Sequence, residues 1–377
     1  MKKICFITRH AIVNYGSFLQ TYATQKLFED YGYNAEVLDY VREDEEYHNV
    51  TELLLKKSKK WNRNTFTRLI YRIVQWPDHY ICGRAFEKER AKYLNLSERI
   101  TNLVADASKI PTADIYCTGS DQVWGEIAQD DVDPMYFLSF APHDAKKIAF
   151  SASFGKESYP KERIDKFKEL LRGYDYITVR EDSAVNIVNR AGYEATQILD
   201  PTMIFGGDRW RKQLLPIHEK GYVLLYQLNA NHEMDEYAKQ FADKAGLKLL
   251  RVSVEAHNCM RVGKFKLCLS PFKFLSYIEN LVNTLYSFPF IFNSLNNSTI
   301  TIGENTSNII SKMCSFGNNV IPKISLRCDV NSIININDAD TIWASISFPL
   351  LNGFDLNIDL WLFLILNMCT SSDNAST

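Results

Sequence analysis

Five times in the first 205 residues a short apolar run ends in a loop of small or polar residues. The runs are Lys3 to Thr8, Asp114 to Cys117, Lys147 to Ser151, Tyr176 to Val179, and the stretch closing at Ile198-Leu199. Asn34 to Tyr40 is a further strand-like run. Helical spacing follows several of them. Leu19, Tyr22, Ala23, Leu27 and Phe28 share one face, as do Ile164, Phe167, Leu170, Leu171 and Tyr174, and residues 183–191 form a third helical stretch. Strand, helix, strand with short joins predicts an α/β fold with a mostly parallel sheet. Such sheets hold ligands beyond the carboxyl ends of their strands, so the loops are where function is expected.

Thr118-Gly119-Ser120-Asp121-Gln122-Val123-Trp124 follows a buried run. Gly119 permits a sharp turn or close approach to a ligand. Ser120, Asp121 and Gln122 offer a hydroxyl, a carboxylate and an amide. A plain turn, with Asp121 capping the next helix, is the alternative. Asn14-Tyr15-Gly16-Ser17 reads as a strand-to-helix loop whose N–H groups form an anion site. GxGxxG is absent, so this is not the dinucleotide fingerprint. A capped turn, with Asn14 or Ser17 as the cap, is equally open there. Ser151-Ala152-Ser153-Phe154-Gly155 is a second small-residue loop, and Arg180-Glu181-Asp182-Ser183 is a charged one.

A length of 377 residues favours two domains. Residues 41 to about 110 are charge-dense, with aromatics interleaved, and read as a helical insertion in a domain spanning 1–208. Within it Lys56-Lys57-Ser58-Lys59-Lys60 could face an anionic glycan, lipid phosphate or nucleic acid, but nearby acidic residues favour a solvated helix face. A linker is expected at 206–219. The second domain, 209–377, opens with strand, helix and strand at 222–228, 233–245 and 247–254. Ser270-Pro271 then starts a helix through Asn280. From about 281 the text is irregular: ten charged residues in 97, three of them Lys or Arg.

Net charge of −2 gives no global field toward nucleic acid or a membrane. No apolar run reaches the length of a membrane span, and the opening residues read as a strand rather than a signal peptide. Eight scattered cysteines without a CxxC pair point to reduced thiols in a cytoplasmic protein and to no metal site.

The ordered set Asn14-Tyr15-Gly16 with Leu19-Gln20 and Tyr22-Ala23, Gly119 to Trp124, Ser153-Phe154-Gly155, Val179 to Ser183 and Leu199-Asp200-Pro201-Thr202 resembles the polysaccharide pyruvyl transferase family. The resemblance implies two Rossmann-like domains in a GT-B-like glycosyltransferase arrangement. It also implies transfer of the carboxyvinyl group of phosphoenolpyruvate, the donor substrate, to sugar hydroxyls of a surface or exopolysaccharide precursor, giving a pyruvate ketal. The partners would be phosphoenolpyruvate and a sugar or lipid-linked oligosaccharide, with no cofactor, no nucleic acid and no stable membrane insertion. In that scheme Arg180 is a cation on the donor, or else is paired with Glu181 or Asp182. Asp121 is a base or a sugar-hydroxyl ligand. Asn14, Gly16, Ser120 and Ser153 line the substrate site. A GT-B-like transferase using a nucleotide sugar is the alternative activity.

One departure stands against the resemblance. Where the family carries a strand ending in an acidic-Ser-Phe-His-Gly motif, this chain reads Leu281 to Phe292, with Ser287-Phe288-Pro289 and no histidine. The seven histidines all precede residue 258. A frame shift after Asn280, restored near Thr299 and repeated after about 315, would account for this and leave the second domain and its cleft incomplete. Real divergence with a changed donor is the other account, and an inactive or binding-only relative the consequence to test. The sequence gives no oligomeric state.

Overall fold

The computed structural model describes residues 1–126 and 131–286. Six parallel strands form the first sheet: β1 (Lys3–Ile7), β2 (Asn34–Val37), β3 (Ile115–Thr118), β4 (Lys146–Ala152), β5 (Tyr176–Val179) and β6 (Thr196–Gln197). Their order is β2-β1-β3-β4-β5-β6. This is the doubly wound order of flavodoxin-like sheets rather than the 3-2-1-4-5-6 of dinucleotide-binding domains. The chain leaves β1 toward β2 on one side and resumes with β3 on the other, so the switch point lies between β1 and β3.

β1 shows why the sheet forms. Ile4 and Phe6 join one core cluster while Cys5 and Ile7 join another, so the strand buries both faces in alternation. Helix α1 (Tyr15–Asp30) covers the first of these faces with Phe18, Leu19, Tyr22 and Phe28. Helices α5 (Lys161–Leu170) and α6 (Asp182–Arg190) cover the second, with Ile164, Phe167, Ile187 and Val188.

Residues 41–110 carry α2 (Tyr47–Lys57), α3 (Thr65–Trp76), a π-helical turn (Pro77–Cys82) and α4 (Gly83–Tyr93). α7 (Pro201–Phe205) leads into the stretch read as a linker, which opens with a second short helix, α8 (Gly207–Arg211). Trp210 is buried there, its ring 4.6 Å from Phe205 and 6.0 Å from Tyr22, and its Nε1–H donates to Thr202 O. The start of the connection is therefore packed on the first sheet's core.

The second sheet is parallel and three-stranded, with β7 (Tyr222–Tyr226), β8 (Lys248–Ser253) and β9 (Lys264–Leu267) in sequence order. Helix α9 (His232–Ala245) joins β7 to β8. Asn231 caps its start and Gly246, at φ 65°, ends it. Helix α10 (Pro271–Tyr286) runs six residues beyond the Asn280 expected from sequence. No Gly or Pro interrupts Leu281 to Tyr286, and the first proline is Pro289. Both sheets belong to one compact unit, Met1–Val282. Tyr15 of α1 stacks on Phe274 of α10 at 4.2 Å and lies 5.6 Å from Tyr226 of β7. The readings made for residues 287–377, including the altered histidine motif and the frame shift, lie outside the described residues.

Candidate functional site

The sequence-read loops meet at the carboxyl edge of the first sheet. Asn14 caps α1, its side chain accepting from Ser17 N at 3.2 Å, so the capped-turn reading of that loop holds. Ser17 Oγ in turn donates to Asp121 Oδ2 at 2.7 Å. The positive end of α1 thus faces the carboxylate that follows β3.

Asp121 does not cap a helix, because the described residues that follow it, 122–126, form turns and bends. Its φ of 89° lies in the left-handed region, unfavourable for a residue with a Cβ. Four hydrogen bonds hold it there. Its carbonyl accepts from Val123 N (2.8 Å) and Ser153 N (3.1 Å), and its carboxylate accepts from Ser17 and from Gln122 N at 2.8 Å. Such over-determined strain collects at functional sites. The carboxylate stays half-buried while its neighbours Gly119 and Ser120 are buried.

Gly119 serves strand packing rather than ligand approach. A Cβ there would lie 3.2 Å from Thr8 Cβ and 3.3 Å from Ile7 O. Val123 and Trp124 are core anchors. The Trp124 ring stacks on Phe137 at 5.5 Å, and its Nε1–H donates to Tyr136 O.

A second network lies beyond β4, β5 and β6. Arg180 donates from Nε to Glu181 Oε1 at 2.8 Å and from a terminal nitrogen to Asp200 Oδ2 at 3.4 Å. The ion pair left open by the sequence is therefore present. Ser153 Oγ donates to Glu181 Oε1 at 2.8 Å and accepts from Gly155 N. Ser120 Oγ donates to Asp200 Oδ2 at 3.1 Å. Both serines are fully buried with their hydroxyls committed to carboxylates. Asp200 also caps α7 through Thr202 N. The network ties together the loops after β3, β4, β5 and β6.

Three features, two of them at this edge, escaped the sequence. Arg9, just past β1, donates to Glu45 at 2.9 Å. Burial alone would lower its pKa, but the charges of Glu45 and Asp121 raise it above the usual arginine value. His10 is fully buried, with Nε2 2.9 Å from Asp39 Oδ1 and Nδ1 3.2 Å from Thr8 O. Arg99 Nε donates to the other Asp39 oxygen at 3.0 Å. Burial pushes the Asp39 carboxyl up, but the His10 hydrogen bond and the His10 and Arg99 charges outweigh it and hold its pKa below the ordinary value. Nothing in the residue types near His10 marked it, because its partner lies 29 residues away, just past the end of the neighbouring strand β2. Third, Lys220, Lys248, Lys266 and Lys273 converge with His218, Glu219 and Tyr277 around a depression of about 460 Å³ beside the second sheet. No single stretch of sequence carries that lysine cluster.

A doubly wound parallel sheet with the Asp121 carboxylate at its switch point defines an α/β protein, and sheets of this class hold their ligands at that place. The polysaccharide pyruvyl transferase family model matches residues 14–281, more than half of the chain, and the chain belongs to that family. The family implies a sugar or polysaccharide acceptor. Comparison with curated proteins and with solved structures gave no match.

Proposed function

We propose that this chain moves the carboxyvinyl group of phosphoenolpyruvate onto sugar hydroxyls of a surface or exopolysaccharide precursor, in the cytoplasm, to form a pyruvate ketal. The observation that carries the reading is the convergence of the family-matched loops at 14–17, 119–122, 153–155 and 180–183 on one sheet edge. In the reaction the enol methylene takes a proton, and a sugar hydroxyl oxygen bonds to the adjacent carbon. The carbon–oxygen bond to phosphate breaks, and a second hydroxyl closes the ketal as inorganic phosphate leaves.

Asp121 suits the base or sugar-hydroxyl ligand, since it is the half-buried carboxylate at the switch point. Arg180, in the matched loop at 180–183, and Arg9, whose charge interacts with Asp121, suit an anionic donor, with Glu181, Asp200 and Glu45 as the counterions the donor would compete with. Asn14 and Gly16 would line the site through the α1 N-terminus. Ser120 and Ser153 would act by holding Asp200 and Glu181.

Calorimetric titration of the full chain with phosphoenolpyruvate tests this, with Arg180→Ala and Asp121→Asn as variants and circular dichroism as the fold control. Binding that is lost in the first and kept in the second supports the reading. Thermal stabilisation by a nucleotide sugar and not by phosphoenolpyruvate overturns it, as does no binding to a folded chain at millimolar ligand.

A further inference from the structure

Helix α3 carries its apolar face outward. Amphipathic helices of globular proteins turn that face to the core. Here Phe66 is 70% exposed, Leu69 53%, Ile73 64% and Trp76 52%, and no residue of the helix is buried. These four lie within one arc of the helix at 3.6 residues per turn. The opposite arc, with Thr67, Tyr71 and Gln75, is the half-buried one. Tyr71 on that arc lies 5.8 Å from Trp61, and at the end of the helix Trp76 stacks on Tyr80 at 5.2 Å while staying half exposed.

The charge along this stretch of the sequence is one-sided. Between Glu52 and Asp78 there are seven Lys and Arg residues and no Asp or Glu. All seven are exposed, and among the described residues only Arg72 forms an ion pair. The whole chain's balance of −2 hides this local excess, because the acidic residues at 43–46 precede α2.

We propose that α3 and the lysine-rich turn before it dock the protein on an anionic lipid bilayer surface. An outward apolar stripe with Trp and Phe, flanked by basic residues, is the arrangement that lies in the headgroup plane. The helix has 12 residues, about 18 Å, far short of a bilayer's ~30 Å hydrocarbon core. Among the described residues no helix is long and apolar enough to cross a membrane. The contact is thus adsorption, with Phe66, Leu69, Ile73 and Trp76 entering the interface and the lysines meeting lipid phosphates. The proposal is independent of the pyruvyl-transfer reading.

Flotation of the full chain with phosphatidylcholine vesicles, with and without phosphatidylglycerol, tests it directly. The chain should bind the anionic vesicles and release at ~0.5 M salt, where screening is strong. Leu69→Glu with Ile73→Glu should weaken that binding at least about tenfold. Lys59→Glu with Lys60→Glu, in the turn outside the helix, should weaken it by roughly fivefold or more per residue. No binding to anionic vesicles overturns the proposal, and so does binding unchanged in both variants. A dimer in gel filtration that Ile73→Glu splits, with no vesicle binding, would assign the face to a second copy of the chain and equally overturn it.

Discussion

The Ser17 hydroxyl donates to the Asp121 carboxylate across 2.7 Å, joining residues 104 positions apart at the junction of β1 and β3. The contact fixes the α1 N-terminus against the loop after β3. It also orients the carboxylate that the proposed reaction needs. Ser17→Ala should lower stability by about 1–2 kcal/mol, as expected for a hydrogen bond to a charged acceptor, read from the denaturant midpoint. Asp121→Asn should leave donor binding intact and lower transfer by about a hundredfold or more, measured as phosphate release with acceptor. Equal loss of donor binding in that variant would count against a role on the acceptor side.

Asp39 hydrogen-bonds His10 and Arg99 just past the end of β2. Its depressed pKa fixes the sign of its pH effect. The stabilisation is present above the ordinary carboxylate value near 4 and is lost as pH falls below it. Asp39→Asn should therefore cost about 1–3 kcal/mol at neutral pH, since it removes the buried carboxylate that hydrogen-bonds both His10 and Arg99. The gap between wild type and variant should narrow in urea titrations below about pH 4. A gap constant from pH 7 to 3 would refute the linkage.

Tyr15 joins the two sheets through Phe274 and Tyr226 and also lies 5.3 Å from Phe86. Tyr15→Ala should cost about 3–5 kcal/mol as a buried aromatic truncation. A double-mutant cycle with Phe274→Ala should show coupling of about 1 kcal/mol for the stacked pair. Additive losses would mean that the stack is not an energetic link.

Gly155 sits at φ 68°, with a hypothetical Cβ 3.0 Å from the Gln122 side chain. Gly155→Ala should destabilise the chain by about 1–2 kcal/mol from backbone conformation alone. The same change at Gly192, also left-handed but with open space around it, should cost only the conformational part. Thermal melts of the two variants side by side separate the steric share from the backbone share.

The sequence by itself determined the parallel α/β sheet, the helical stretch at 41–110 and the loops that meet at the sheet edge. Those signals are local: β1 alternates between two cores, α1 repeats at helical spacing, and each small-residue loop directly follows its strand. Asn14 was legible as a cap for the same reason. The family resemblance rested on the same loops taken in order.

Tertiary structure alone decided what depends on distant partners. Arg180 follows a strand in the text, yet only the fold brings Asp200 against it beside Glu181 and gives Ser120 and Ser153 carboxylates to hold. His10 acquires Asp39, and Asp39 acquires Arg99, because parallel pairing sets the ends of β1 and β2 side by side. Helix α3 is amphipathic in the sequence. Which face it turns outward was settled by packing, because hydrophobic spacing defines a stripe without saying what will cover it.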